Sequence, residues 1–443
     1  SFSGAVMKVG VLKELFPDFL KQGCPIEAKV KKEEMAFLTE NLHFSLPIIP
    51  KPFHNLGNAV VSISKFNRWL GQKCEEVGVN LFPGIAATEI VFDGDKVVGV
   101  ITGDKGLNKS CKQKPNFEPG LIIKAKLVIF AEGTRGSLFR DFESKLNLRA
   151  GKNPEVFEEG VKEVIQMPKG SVKPGVVVHT LGWPLSKSTG GSFLYTLAND
   201  QIALGLVTYL DSQDPLLDPH RELQKLKTHP YIQKWIKGGE VIAYGAKTLP
   251  AGGWYSMPKL FGHGFMVCGD SASMVDVQRL KGIHLAMKSG MLASEVGVEA
   301  MNLGDFSATQ LKKYQNLVEK SIIKEDLWKT RNFHQALSKG WIAGLPLVAL
   351  QEFTGGKGII DPMVCQKDSV ATDKAVDVWG GGSFESVTEL PKPDGKLFFD
   401  KLGSVFLTGT CHDEDSPNHL KIKNEDICRS ECEPKFKAPC NHF

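Results

Sequence analysis

Two short stretches of the 443-residue sequence set glycines and charged side chains at the end of an apolar run. In the first, "LVIF" (127–130) leads through Ala131 into Glu132-Gly133-Thr134-Arg135-Gly136. In the second, Phe265–Cys268 ends at Gly269-Asp270, and Lys281-Gly282-Ile283 opens a run of small residues. Glycine lets a backbone approach a ligand with no Cβ in the way. Arg135 could meet a phosphate, or it could be an exposed arginine on a tight strand-to-helix turn. Asp270 could accept hydrogen bonds from sugar-alcohol hydroxyls, or only cap a turn. A helix beginning at Gly282 would aim its unpaired N–H groups and positive dipole end at whatever lies in front, favouring a group that gains negative charge. Lys281 beside it reads either as part of that site or as a solvated surface cation.

The elements that must position these corners follow from periodicity. A continuous apolar run suits a strand buried on both faces of a mostly parallel sheet, where ligands collect beyond the carboxyl ends. "LIIKAKLVIF" (121–130) reads as one such strand. Phe66, Trp69, Leu70 and Cys74 at helical spacing predict a helix over 64–77, stopped by Gly78 and followed by a strand "VNLFPG". Two β-rich runs around Asp93-Gly94 predict a hairpin over 88–104. "VVVHTLGW", "GSFLYTL" and "IALGLVTYL" between 176 and 210 read as an antiparallel sheet unlike the α/β segments flanking it.

Composition excludes little. With 42% hydrophobic and 23% charged residues the chain is an ordinary globular protein, and a net charge of +4 gives no reason to expect nucleic acid. Nine scattered cysteines do not form a secreted disulfide framework. "WIAGLPLVAL" (341–350) is interrupted by Pro346 and is about half the ~20 residues a spanning helix needs, leaving a buried helix or a segment in the membrane interface.

The two corners resemble the second and third FAD-binding motifs of a large flavoprotein group that includes aromatic hydroxylases and geranylgeranyl reductases. More specifically, the chain is similar to the electron-transfer flavoprotein:ubiquinone oxidoreductase family, through "LFPDF" (15–19), "LGWPL" (181–185), "GGSFLYTL" (190–197), "AYGAKTLPAGGW" (243–254), "LKGIHLAMKSG" (280–290) and "PKPDGKLFFDKLGSVFLTGT" (391–410). The resemblance implies an α/β fold: an FAD-binding doubly wound, Rossmann-like domain of the glutathione-reductase/hydroxylase type, an interleaved antiparallel quinone domain and the start of a ferredoxin-like domain. It divides the chain into a partial FAD domain with part of the quinone domain (1–150), the quinone domain (151–255), the return of the FAD domain (256–330), a membrane-facing and linker region (331–384) and the ferredoxin-like start (385–443).

The resemblance also implies cofactor-binding roles for Glu132, Gly133, Arg135, Gly136, Gly269, Asp270, Lys281, Gly282 and Ile283, and a quinone headgroup lined by Gly190 and Gly191. No side chain is expected to act as a catalytic acid or base. FAD is the expected cofactor, with electron-transfer flavoprotein as donor, ubiquinone or menaquinone as acceptor, and a monotopic membrane surface formed by 341–350 with Lys329, Arg331 and Lys339 upstream. The family's first G-x-G-x-x-G loop does not precede Ser1, and the clustered cysteines that bind its [4Fe–4S] cluster lie beyond Phe443, so truncation at both ends is expected. Cys428, Cys432 and Cys440, at C-x3-C-x7-C, lack a fourth partner in order and are not expected to be ligands. Gln278 stands where relatives usually carry proline, and Thr189 where tyrosine is common. A flavin-dependent monooxygenase or prenyl reductase, or a non-catalytic membrane-associated subunit, is the alternative.

Overall fold

The two largest apolar cores among the described residues pack against the two sheets that flank the candidate site. The computed structural model describes residues 4–134, 136–185, 188–380, 390–420, 422 and 424–442. In chain order the elements around the site are β1 (Lys32–Leu38), β2 (His43–Ser45), α1 (Ile63–Glu76), β3 (Val128–Phe130), α2 (Ser137–Lys145), β4 (Phe157–Gln166), β5 (Val176–Gly182), β6 (Gly190–Thr196), β7 (Gln201–Tyr209), α3 (Pro219–Thr228), β8 (Glu240–Pro250), β9 (Phe265–Val267), α4 (Ile283–Leu303), α5 (Phe333–Leu337) and α6 (Gly340–Thr354).

β3 and β9 pair in parallel, with Val128 opposite Phe265 and Phe130 opposite Val267. Phe130, Phe142 and Phe265 cluster on one face of the pair, and Met266, pointing to the other face, meets α4 at Gly297, where Leu285 and Ala293 belong to the same core. α4 buries Leu285, Ser289, Leu292, Ala293, Val296, Gly297 and Ala300, and the small residues among them let a 21-residue helix lie close to the sheet. It ends at Gly304, whose φ of +66° is the left-handed conformation glycine adopts without strain.

The larger sheet runs β8-β4-β7-β6-β5-β1-β2. Every neighbour pair is antiparallel except β5–β1, which is parallel. Its core holds Leu194, Leu204, Leu206 and Leu223. α3 begins at Asp218, whose carboxylate accepts from Arg221 N, with Pro219 in the first turn where no N–H is needed.

The expected helix is α1, and Gly78 follows it at φ +84°. The hairpin forms between Ala87–Asp93 and Lys96–Thr102. Two strand expectations fail. Residues 79–84 are irregular, and "LIIKAKLVIF" is two strands: Ile122–Lys124 pairs antiparallel with the hairpin, and β3 pairs with β9. The chain changes partner between them. Pro346 does not interrupt its segment either, because α6 continues through it.

One ion pair is fully enclosed. Lys227 of α3 donates to both carboxylate oxygens of Glu163 on β4, at 2.9 and 2.8 Å, and to Leu397 O. Gln224 Nε2 adds a bond to Glu163 at 3.0 Å, and both charged side chains have no exposure. Burial draws the Lys227 pKa down, and the Glu163 charge and hydrogen bond work against that. The pair fastens the segment around 397 to the sheet. Removing one partner leaves a buried charge without its counterion, so Lys227→Met should lose about 3–5 kcal/mol in chemical denaturation, and adding Glu163→Leu should return most of it. Equal stabilities for the single and double variants would contradict this.

Candidate functional site

The parallel β3–β9 pair sets the two glycine corners side by side. Cys268 N donates to Phe130 O at 2.9 Å, and Ser271 Oγ donates to Gly133 O at 3.0 Å, tying one turn to the other. Gly133 and Gly269 both adopt positive φ, +79° and +62°. A Cβ on Gly269 would lie 3.3 Å from Ala286 Cβ, so the turn rests closely on α4. Its N–H donates to Ser289 Oγ of the same helix at 3.0 Å.

Gly282 is the N-cap of α4, and among the described residues no side chain caps the helix. A 21-residue helix therefore presents its positive end, unsatisfied, beside Asp270, whose Oδ1 lies 3.7 Å from where a Cβ on Gly282 would stand. Burial pushes the Asp270 carboxyl up to about 6; the Lys247 charge pulls it down, Glu155 pushes it up and the Thr134 hydroxyl lowers it. Ile283 is the first residue of α4. An uncapped helix terminus, two left-handed glycines and a short carboxylate in one corner fit the hydroxyl-bearing chain and electron-accepting ring of a flavin.

Lys281 is not a surface cation. It is 4% exposed, donates to Arg279 O at 2.9 Å, and burial lowers its pKa to about 8 against the raising effect of Asp276. Just inside the helix, His284 Nε2 lies 2.9 Å from Asp326 Oδ2, which also accepts from Lys8 Nζ at 2.7 Å. Burial opposes the Asp326 charge, but these bonds hold its carboxyl far below the usual range. Glu132 is already engaged: its Oε2 accepts from Phe139 N at 2.7 Å in the first turn of α2. Gly136 caps α2, where a Cβ would meet the Glu132 side chain. Arg135 lies outside the described residues.

Gly190 and Gly191 begin β6. A Cβ on Gly190 would come 2.1 Å from Val207 O, so strand packing alone demands glycine there. The β5–β6 ladder ends at Thr180 opposite Ser192, leaving both glycines past its last pair. They line a cavity with about 520 Å³ of empty space, mouth included, between the sheet face and a wall formed by Val277, Gln278 and Leu280. That wall is the loop leading to Lys281 and Gly282. Glu158, His179 and Tyr209 face the same cavity and carry no sequence signal beyond lying on strands. Among the described residues no group of three or more His, Cys, Asp or Glu side chains is arranged to hold a metal ion.

Residues 157–249 match the family description "ETF-QO, ubiquinone-binding", and residues 395–443 match "Electron transfer flavoprotein-ubiquinone oxidoreductase, 4Fe-4S". The mitochondrial electron transfer flavoprotein-ubiquinone oxidoreductase of Arabidopsis thaliana is 40% identical over 446 residues, covering 100% of this chain and 68% of the relative. The chain belongs to the electron transfer flavoprotein-ubiquinone oxidoreductase family. The family members of Pseudomonas aeruginosa and Homo sapiens are each 36% identical, covering 100% and 96% of this chain and 80% and 70% of their own lengths. A geranylgeranyl bacteriochlorophyll reductase-like protein from Thermoplasma acidophilum superposes with a TM-score of 0.58 at 18% identity, over 82% of this chain and 83% of its own. A flavin-dependent brominase gives 0.54 at 16% identity, over 79% and 80%. Those two likenesses are of fold, and they agree with an α/β, FAD-binding Rossmann-type architecture for this family member.

The raised Asp270 pKa has a signed consequence. The folded, flavin-free chain binds this proton more tightly than the unfolded chain, whose value is the ordinary 3.8. Stability is therefore lost as pH rises from about 4 to about 6. Asp270→Asn removes that loss, so urea denaturation should find the variant gaining on the wild type across this interval. A difference independent of pH would count against it.

Proposed function

We propose that the protein passes electrons from reduced electron transfer flavoprotein to ubiquinone or menaquinone by way of FAD at the Gly133–Gly269 corner. Bound FAD would supply a centre able to hold one electron or two. In this reading Gly133 and Gly269 bring backbone against the cofactor, and Asp270 accepts from its sugar-alcohol hydroxyls. The α4 terminus at Gly282 and Ile283, with Lys281 behind it, favours negative charge on the pyrimidine side. Arg135 serves the adenine side. Glu132 and Gly136 act indirectly, by shaping the turn into α2.

The observation that carries the reading is the shared wall. Val277, Gln278 and Leu280 line the cavity that holds Gly190 and Gly191, and the same loop runs directly into Lys281 and Gly282. A quinone headgroup against the glycine pair would thus sit one loop away from the flavin corner. Both glycines pair with β7, so the one backbone N–H there that is turned away from β7 would bond a quinone carbonyl more strongly as it gains electrons. The iron–sulfur region fits alongside: Lys396 O accepts from Val241 N at 2.8 Å, and Ser404 Oγ lies 2.9 Å from His220 Nε2. Cys428, Cys432 and Cys440 are free thiols in it.

α6 supports a membrane-facing surface. Ile342 is 95% and Phe353 91% exposed, on a helix whose buried residues are Gly344 and Gln351. No helix among the described residues is long and apolar enough to cross a membrane. The cation pattern expected upstream needs one correction. Arg331 is 2% exposed and pairs with Asp361 at 2.8 Å, stacked on Trp328, so it holds the loop after α6 and offers no charge to a headgroup.

With FAD bound, reduced electron transfer flavoprotein should bleach the flavin absorbance and added ubiquinone should restore it. Bleaching by NADPH without the protein donor would instead favour a monooxygenase or prenyl reductase. Separately, Ile342→Asp with Phe353→Asp should reduce co-sedimentation with anionic vesicles by about tenfold or more at unchanged melting temperature, since both side chains face solvent. Undiminished vesicle binding would move the membrane surface elsewhere.

A further inference from the structure

Reducing a quinone to a quinol takes two protons as well as two electrons, and the cavity beside Gly190 and Gly191 contains a carboxyl suited to give one. Glu158 lies on β4 opposite Tyr209 of β7, on the sheet face that lines the cavity. It is 2% exposed, and its Oε1 is enclosed with no hydrogen-bond partner among the described residues. A charge on a buried carboxyl with an unpartnered oxygen is costly, which favours the protonated, neutral form.

Among the described residues, the groups facing Glu158 give it no counter-charge. Leu249 stands opposite on β8, and Tyr209 flanks it on β7. Across the cavity, His179 of β5 is driven down to about 3 by burial and by the Lys281 charge, so it is neutral and cannot be the donor. Gln278 in the facing loop does not titrate. On α5, His334 packs its ring 4.6 Å from that of Tyr209 and turns Nε2 to Asp211 Oδ2 at 2.9 Å. Burial alone raises the Glu158 pKa to about 8, so the side chain enters the physiological range as an acid.

We propose that Glu158 donates a proton to the quinone oxygen turned away from Gly190 and Gly191. This rests on the function proposed above, which supplies both electrons from the reduced donor protein. The Glu158 O–H bond breaks and one quinol O–H bond forms. Glu158 is left as a carboxylate and regains its proton from water, and the second quinol proton also comes from water. The role is that of a general acid placed where the low dielectric both keeps it protonated and strengthens its hydrogen bond to a charged oxygen.

The test uses the FAD-loaded protein, reduced electron transfer flavoprotein and the short-tailed ubiquinone-1, from about pH 6 to about pH 10. The wild-type quinone step should slow as pH rises through about 8, and Glu158→Gln should be slowed roughly 100-fold at neutral pH with that limb gone. Flavin reduction by the donor is the control and should be equal in both. Infrared spectra of the oxidised protein should show a protonated carboxyl band at neutral pH that Glu158→Gln lacks. Equal quinone rates and pH profiles in the two proteins overturn the assignment while leaving the proposed function standing. A wild type that reduces no quinone overturns both. If the variant does not fold, the wild type decides: a flat pH profile, or no protonated carboxyl band, overturns the assignment.

Discussion

The parallel pairing of two three-residue strands is the constraint on which the candidate site depends. β3 and β9 are far apart in sequence, and their register leaves Gly133 and Gly269 at adjacent strand ends. A shift of one residue would turn Phe130 and Phe265 out of the shared core and separate the Ser271–Gly133 hydrogen bond. The short length of these strands makes the surrounding packing decisive. Phe130 and Phe142 pack with tilted rings 4.9 Å apart, and Phe142 meets Phe265 edge-on at 4.8 Å. Aromatic packing thus holds what six ladder residues could not hold by themselves.

From that pairing the site is assembled outward by α4. Its small-residue stripe lets it lie against β9, and its uncapped terminus falls beside Asp270 as a result. The loop before α4 then serves two neighbours at once: it runs into the helix terminus beside Asp270, and it walls the cavity that faces the larger sheet. Lys281 is held inside by the Arg279 carbonyl and Asp276, so its charge bears on both sides, and it is felt as far as His179.

Much of this is legible in the sequence because local signals and tertiary outcome agree. Glycine after an apolar run marks the corners, Gly78 marks a helix end, and Asp93-Gly94 marks a hairpin. Legibility stops where the partner of a segment decides its state. Residues 121–130 look like one strand, yet the chain leaves the hairpin sheet near Ala125 to join β9. Arg331 looks like a surface cation, and Lys281 could be read as one, because burial of a charge depends on carbonyls and carboxylates from elsewhere in the chain. Glu158 gives no warning at all: β4 is buried to some degree on both faces, so alternation along it does not say which glutamate points inward.

The docking of residues 394–407 has a further consequence. β8 is the outermost strand of the larger sheet, 11 residues long, and Lys396 O and Leu407 O take hydrogen bonds from its Val241 and Tyr244 N–H groups. An uncovered border of that length offers a template on which a foreign strand can add itself. The iron–sulfur segment is therefore also a guard: by lying along this border, it keeps the protein from zipping onto neighbouring copies.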